Sequence, residues 1–145
     1  PYLDFLPVLA MGVQALSILA LSVHFFLKGA KKESLFVYVF LVATAMLLFS
    51  KVFSAQFILW PLIFAIPILA IPWKSPKFPP SLFLFSILLL CSIFSYLAYP
   101  ALYVPLIHLE PAGIAALAAR NALLIIAFAW VLLNKEKFYL KTDSK

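Results

Sequence analysis

The chain has 145 residues, 66% of them hydrophobic and 11% charged, and a formal net charge of +6. A water-soluble domain needs about a quarter of its positions charged to cover its core, so a soluble globular fold is excluded. The modest positive charge sits between apolar runs, which suits anionic lipid headgroups and gives no nucleic-acid signature.

In chain order, the hydropathy predicts an all-α polytopic bundle of about five transmembrane spans. The first covers residues 5–27 and ends in the basic run Lys28, Lys31, Lys32. The second, residues 35–49, is short for a full crossing at about 1.5 Å per residue. A polar break follows from Lys51 to Gln56, then a third span over residues 57–73, which Pro61 and Pro67 should kink. A basic, proline-rich loop with Lys74 and Lys77 leads to a fourth span, residues 81–99, closed by Pro100. The linker to Pro111 is apolar but interrupted by prolines, which reads as a segment lying at the membrane interface. The fifth span, residues 112–133, runs into a basic tail. The whole is one transmembrane domain. The only cysteine, Cys91, lies within an apolar run, so no internal disulfide can form.

Charge placement sets an orientation. With five crossings, Lys28, Lys31, Lys32, Lys74, Lys77, Lys135, Lys137, Lys141 and Lys145 share one face, and Lys51 and Arg120 belong to the other. Nine against two places the C-terminus in the cytoplasm and Pro1 outside. Trp73, Tyr99, Tyr103 and Tyr139 fall near span ends, where amphipathic rings settle at headgroup level.

A charge in or beside a span is a functional candidate because burying it is expensive. Lys51 occupies a polar hairpin tip with Ser54 and Gln56, and Arg120, followed by Asn121, lies about two turns inside the fifth span. Together they could form a cationic pocket at the outer surface for a phosphate whose lipid tail stays in the bilayer. Ser92, Ser95, Tyr96 and Tyr99 recur at helical spacing and could line that pocket. Plainer readings stand beside these. Lys51 could snorkel, Arg120 could pair with Glu110 or a backbone carbonyl, and the serines and tyrosines could make ordinary interhelical bonds. Gln14, Ser17 and His24 read as packing residues. His108 and Glu110 are too few for a metal site. The small residues Ala112, Gly113, Ala115, Ala116, Ala118, Ala119 and Ala122 favour close helix contact.

The segment Lys51-Val52-Phe53-Ser54-Ala55-Gln56-Phe57-Ile58-Leu59-Trp60 resembles the K-V-F-S-P-Q-Y-x-x-W stretch of multi-pass GT-C glycosyltransferases. These are mannosyltransferase-like enzymes that use polyprenyl-phosphate sugars. Arg120-Asn121-Ala122-Leu123-Leu124 is similar to the R-N-x-L-L that opens late spans of the same proteins. Ala55 and Phe57 depart from the usual proline and tyrosine. The resemblance implies the C-terminal membrane module of such an enzyme, acting on the extracytoplasmic face. Lys51, Ser54, Gln56, Arg120 and Asn121 would then hold the donor phosphate and lipid. No catalytic carboxylate is evident: in that class it belongs to an N-terminal module, as would any divalent metal, and Asp4 matches no family motif. No cofactor is implied by these residues themselves. The expected partners are membrane lipids, the polyprenyl-phosphate sugar, and the N-terminal module or other membrane subunits. Pro1 in place of Met and the small number of spans suggest a piece of a longer chain. Two rival readings are a non-catalytic subunit of a membrane complex and a small anion or solute transporter.

Overall fold

The structure, a computed structural model, describes residues 5–28, 34–49, 58–70 and 80–138. Six α-helices follow one another: α1 (Phe5–Leu27), α2 (Leu35–Leu48), α3 (Leu59–Leu69), α4 (Pro80–Tyr96), α5 (Tyr103–Ile107) and α6 (Pro111–Asn134). A π-type turn, Leu97–Ala101, prolongs α4, and a 3-10 turn, Lys135–Phe138, prolongs α6. The described residues contain no strand, so the described fold is all-α, as the hydropathy predicts. Three helices are long and apolar enough to cross a membrane: α1, α4 with its π turn, and α6 with its 3-10 turn. Helices α2 and α3 have 14 and 11 residues. At about 1.5 Å per residue each is shorter than a hydrocarbon core of about 30 Å.

Proline placement explains several boundaries. Pro111 occupies the first turn of α6, where its missing N–H is not needed, and Glu110 before it is extended (φ −70°, ψ 146°). Tyr99 precedes Pro100 and is driven out of the helical region to φ −154°, ψ 118°, which breaks the chain away from α4. Pro61 does not kink α3 as its position in the apolar run suggested. It sits in the first turn of that helix, where a proline costs no intrahelical bond. Pro67 is interior, and α3 ends soon after it at a C-cap on Ala70.

The linker between Pro100 and Pro111 is ordered by a Schellman turn. The N–H of Leu109 donates to the Leu106 carbonyl (3.1 Å), and that of Glu110 to the Pro105 carbonyl (2.8 Å). Leu109 adopts φ 57° at the left-handed position that glycine usually fills. The turn folds α5 back onto the start of α6. There Gly113 meets the Leu106 backbone so closely that an added Cβ would stand 2.6 Å from its Cα.

Specific contacts fix the helix directions. α1 and α2 are antiparallel: the Gln14 side chain donates to the Met46 carbonyl (3.0 Å) at one end. At the other end the rings of His24 and Phe25 stand 5.9 and 5.2 Å from that of Tyr38. α4 and α6 are likewise antiparallel, pinned by Cys91 against the Arg120 carbonyl and by Trp130 Nε1 donating to the Pro80 carbonyl (3.2 Å). Their buried faces mesh at intervals of three and four residues. On α4 these are Ser81, Leu84, Leu88, Cys91 and Ser95; on α6 they are Gly113, Ala116, Arg120, Leu124, Ala127 and Val131. Such spacing suits close packing of two helices. Gly113 and Ala116 alone of the small residues of α6's first half are buried against neighbours before Arg120, whereas Ala112, Ala115, Ala118 and Ala122 face outward.

Gly113→Ala should therefore push α5 off α6 and destabilise the fold by about 1–3 kcal/mol, the usual cost of overpacking. Gly12→Ala on α1, where nothing lies within 4 Å of an added Cβ, should be neutral or slightly stabilising. Thermal unfolding of the two variants in detergent checks the pair. Equal midpoints would show that the close approach of Leu106 is not required.

Candidate functional site

Arg120 lies on the buried stripe of α6, nine residues after Pro111 and only 3% exposed. At about 1.5 Å per residue it is about 14 Å along the helix, deeper than two turns. Every other side chain on that stripe is apolar or hydrogen, which makes Arg120 the anomaly of the seam. Its guanidinium donates to Asn121 Oδ1 from Nε (3.2 Å) and from Nη2 (3.0 Å). The Cys91 thiol, fully buried on α4, donates weakly to the Arg120 carbonyl (3.6 Å). Glu110 is not a partner. It is exposed at the start of α6, about 15 Å from Arg120 along the helix axis.

The hydrophobic cluster beside Arg120 joins three further helices. Ile58, Cys91 and Leu124 are buried together, with Leu48 and Leu62 packed against them. Leu124 follows Arg120 by one turn on the same face. Leu48 ends α2 and Ile58 caps the start of α3. Leu48 and Ile58, at the end of α2 and the start of α3, thus belong to the cluster that contains Leu124, one turn from Arg120. Lys51, Ser54 and Gln56 belong to the segment between them and lie outside the described residues.

The proposed lining of α4 is divided rather than convergent. Ser95 is buried, and its hydroxyl donates to the Cys91 carbonyl one turn back (2.8 Å); Ser92 does the same to Leu88 (2.9 Å). Both serines are satisfied by their own helix, the usual fate of serine in an apolar helix. Tyr96 and Tyr99 face outward, 66% and 53% exposed. Tyr99 instead makes an edge-to-face pair with Tyr103 (centroids 5.0 Å, interplanar angle 86°). Helical spacing alone put the four residues on one face, and the break at Tyr99 removes the last of them from it.

An apolar groove of about 450 Å³ runs between α2 and α3, lined by Val39, Val42, Ala43, Met46, Trp60, Ile63 and Phe64. Among the described residues, no three of His, Cys, Asp and Glu come together as metal ligands. Sequence reasoning missed the contact between His24 and Lys135, whose side-chain nitrogens meet at 2.8 Å across 111 positions. No periodicity within either helix signals it. Comparison with protein families, curated proteins and solved structures finds no match to this chain.

The Arg120–Asn121 fork gives a stability prediction. Asn121→Ala removes an acceptor that serves two guanidinium donors and should destabilise the bundle by about 1.5–3 kcal/mol, the usual range for bonds to charged groups. Asn121→Asp keeps the acceptor and should be as stable as the native chain or more so. An unchanged midpoint for Asn121→Ala in detergent would mean that the fork contributes nothing to holding Arg120.

Proposed function

We propose that this chain is the C-terminal membrane module of a glycosyltransferase that uses a polyprenyl-phosphate sugar on the extracytoplasmic face. The observation that carries the reading is Arg120. A guanidinium buried at mid-helix, against the cluster that anchors the α2–α3 connection, is an expensive feature for a helix pair to keep without a use. Lys51 and Gln56 would approach it from that connection, with Ser54 and Asn121 completing the polar set. The leaving polyprenyl phosphate would bear negative charge in a medium of low dielectric, where a fixed guanidinium stabilises it far more than water-exposed charges do. The α2–α3 groove offers an apolar wall for the isoprenoid chain. The catalytic carboxylate and any metal belong to an N-terminal module in this reading.

The same reading has five crossings, with α2 and α3 spanning a locally thinned or protein-covered region, Pro1 outside and Lys145 in the cytoplasm. Helix directions support it, since the described contacts alternate: the ends of α1 and α6 and the starts of α2 and α4 gather at one end. Single cysteines introduced in the basic loop at residues 28–32 should resist an impermeant maleimide in intact cells, and ones beside Glu110 should react. The reverse pattern overturns the orientation.

The functional test is sugar transfer by the full-length protein, normalised to folded protein. Lys51→Ala and Arg120→Ala should each reduce transfer roughly 10- to 150-fold, the rate equivalent of losing a bond to a charged group. Arg120→Lys should recover part of the loss, because the planar fork is gone but the charge remains. A second reading, a non-catalytic subunit, draws on α1, in which Leu21 is the only residue buried. A helix so sparsely covered can pack against other membrane proteins. That reading predicts unchanged transfer in both alanine variants and loss of copurifying subunits when α1's outer face is altered.

A further inference from the structure

The geometry points to a phosphate-binding site, built from Lys135, His24 and Tyr38, that takes the headgroup of an anionic bilayer phospholipid. It lies at the end of the bundle where α1 and α6 finish and α2 begins, and it is independent of the glycosyl-transfer reading.

Three observations carry the site. The first is the partner of Lys135. Its half-buried ammonium donates to His24 Nε2 at 2.8 Å, and among the described residues it is bonded to no carboxylate. An ammonium has three donors and is strongly hydrated, so a neutral imidazole is a poor substitute for an anion. Glu136, next in sequence, is exposed and makes no bond to it. The second is Tyr38, 4% exposed, whose hydroxyl is buried and lacks any hydrogen-bond partner. Its ring packs against those of His24 and Phe25. Tyr38 lies in the first turn of α2, and its ring neighbour His24 is the side chain that Lys135 meets. The third is Lys28, one turn beyond His24 at the exposed end of α1, its N–H closing the final bond to the His24 carbonyl (3.1 Å). It adds a further positive charge to an end where Glu136 is the one carboxylate among the described residues.

Each group suits a phosphate. A phosphate oxygen beside the pair accepts charge-assisted bonds from the two donors that Lys135 does not give to His24, while His24 Nε2, as an acceptor, holds the ammonium in place. The Tyr38 hydroxyl, idle otherwise, supplies a third donor. The bilayer favours a lipid source over a soluble one. Phe25, Phe26, Leu35 and Val39 line a cavity of about 190 Å³ between α1 and α2 beside Tyr38, open along the apolar sides of those helices, and an acyl chain attached to the headgroup can enter it.

The purified full chain in detergent, titrated with phosphatidylglycerol and followed by native mass spectrometry, tests the proposal. Lys135→Gln should weaken lipid binding about tenfold, as loss of a bond to a charged group implies. Lys137→Gln should leave it unchanged, because Lys137 is exposed and bonded to Asn134. Tyr38→Phe should weaken binding roughly threefold, yet raise the thermal midpoint of the lipid-free protein, since it removes an unsatisfied buried hydroxyl. This variant deletes one oxygen, so it carries the test even where Lys135→Gln misfolds. Equal weakening by Lys135→Gln and Lys137→Gln would reduce the effect to diffuse charge and overturn the site. Displacement of the lipid by millimolar inorganic phosphate would overturn the lipid as its ligand.

Discussion

The packing of α4 against α6 is arranged around one permanently charged side chain. A guanidinium cannot shed its proton at any ordinary pH, and in hydrocarbon any donor left without a partner would cost several kcal/mol. Arg120 nevertheless occupies a seam position that heptad packing reserves for small or apolar residues. The helix accommodates it by local means. Asn121 turns its carbonyl oxygen back to two guanidinium donors, and Cys91, small and soft, fills the facing position on α4. Below it Leu124 restores an apolar seam, and above it Ala116 and Gly113 let neighbouring backbone come close.

The other helices are held by different means. α5 is fixed by geometry, through the Schellman turn and the absence of a side chain at Gly113. α2 is a core helix in the strict sense, with Val37, Phe40, Leu41 and Ala45 at or near zero exposure. α1 is attached at two polar points, Gln14 to Met46 and His24 to Lys135, and its remaining face is apolar and outward. In a membrane that face meets lipid or another protein without penalty, because lipid tails are as apolar as leucine. Leu21 in the core cluster and Phe25 against Tyr38 add apolar contact to the polar points of α1, while α2 is held by apolar burial.

The three long helices were legible in the sequence because continuous hydropathy over twenty residues has few other solutions. Residues 5–27 match α1 to the residue, and α6 extends one residue past the predicted fifth span at each end. Pro61 was misread because proline is disruptive only beyond the first turn, and apolar runs do not reveal where a helix starts. The face of Ser92, Ser95, Tyr96 and Tyr99 was read on an unbroken helix, and Tyr99 is the residue that Pro100 forces out of it. Arg120 stood out at once, since charge in a span is rare, but its fork with Asn121 depends on a rotamer. The meeting of His24 with Lys135 joins the first and last long helices and could not be read from either alone.

The proposed function requires Arg120 to face a phosphate site reached from the extracytoplasmic side. Reaction of Arg120→Cys, in a Cys91→Ser background, with a membrane-impermeant methanethiosulfonate measures that access directly in sealed, right-side-out vesicles. The account predicts modification from the outside, slowed by added polyprenyl phosphate. Modification only after the vesicles are opened, or only once the protein is unfolded in dodecyl sulfate, would contradict it and leave Arg120 as a packed structural charge.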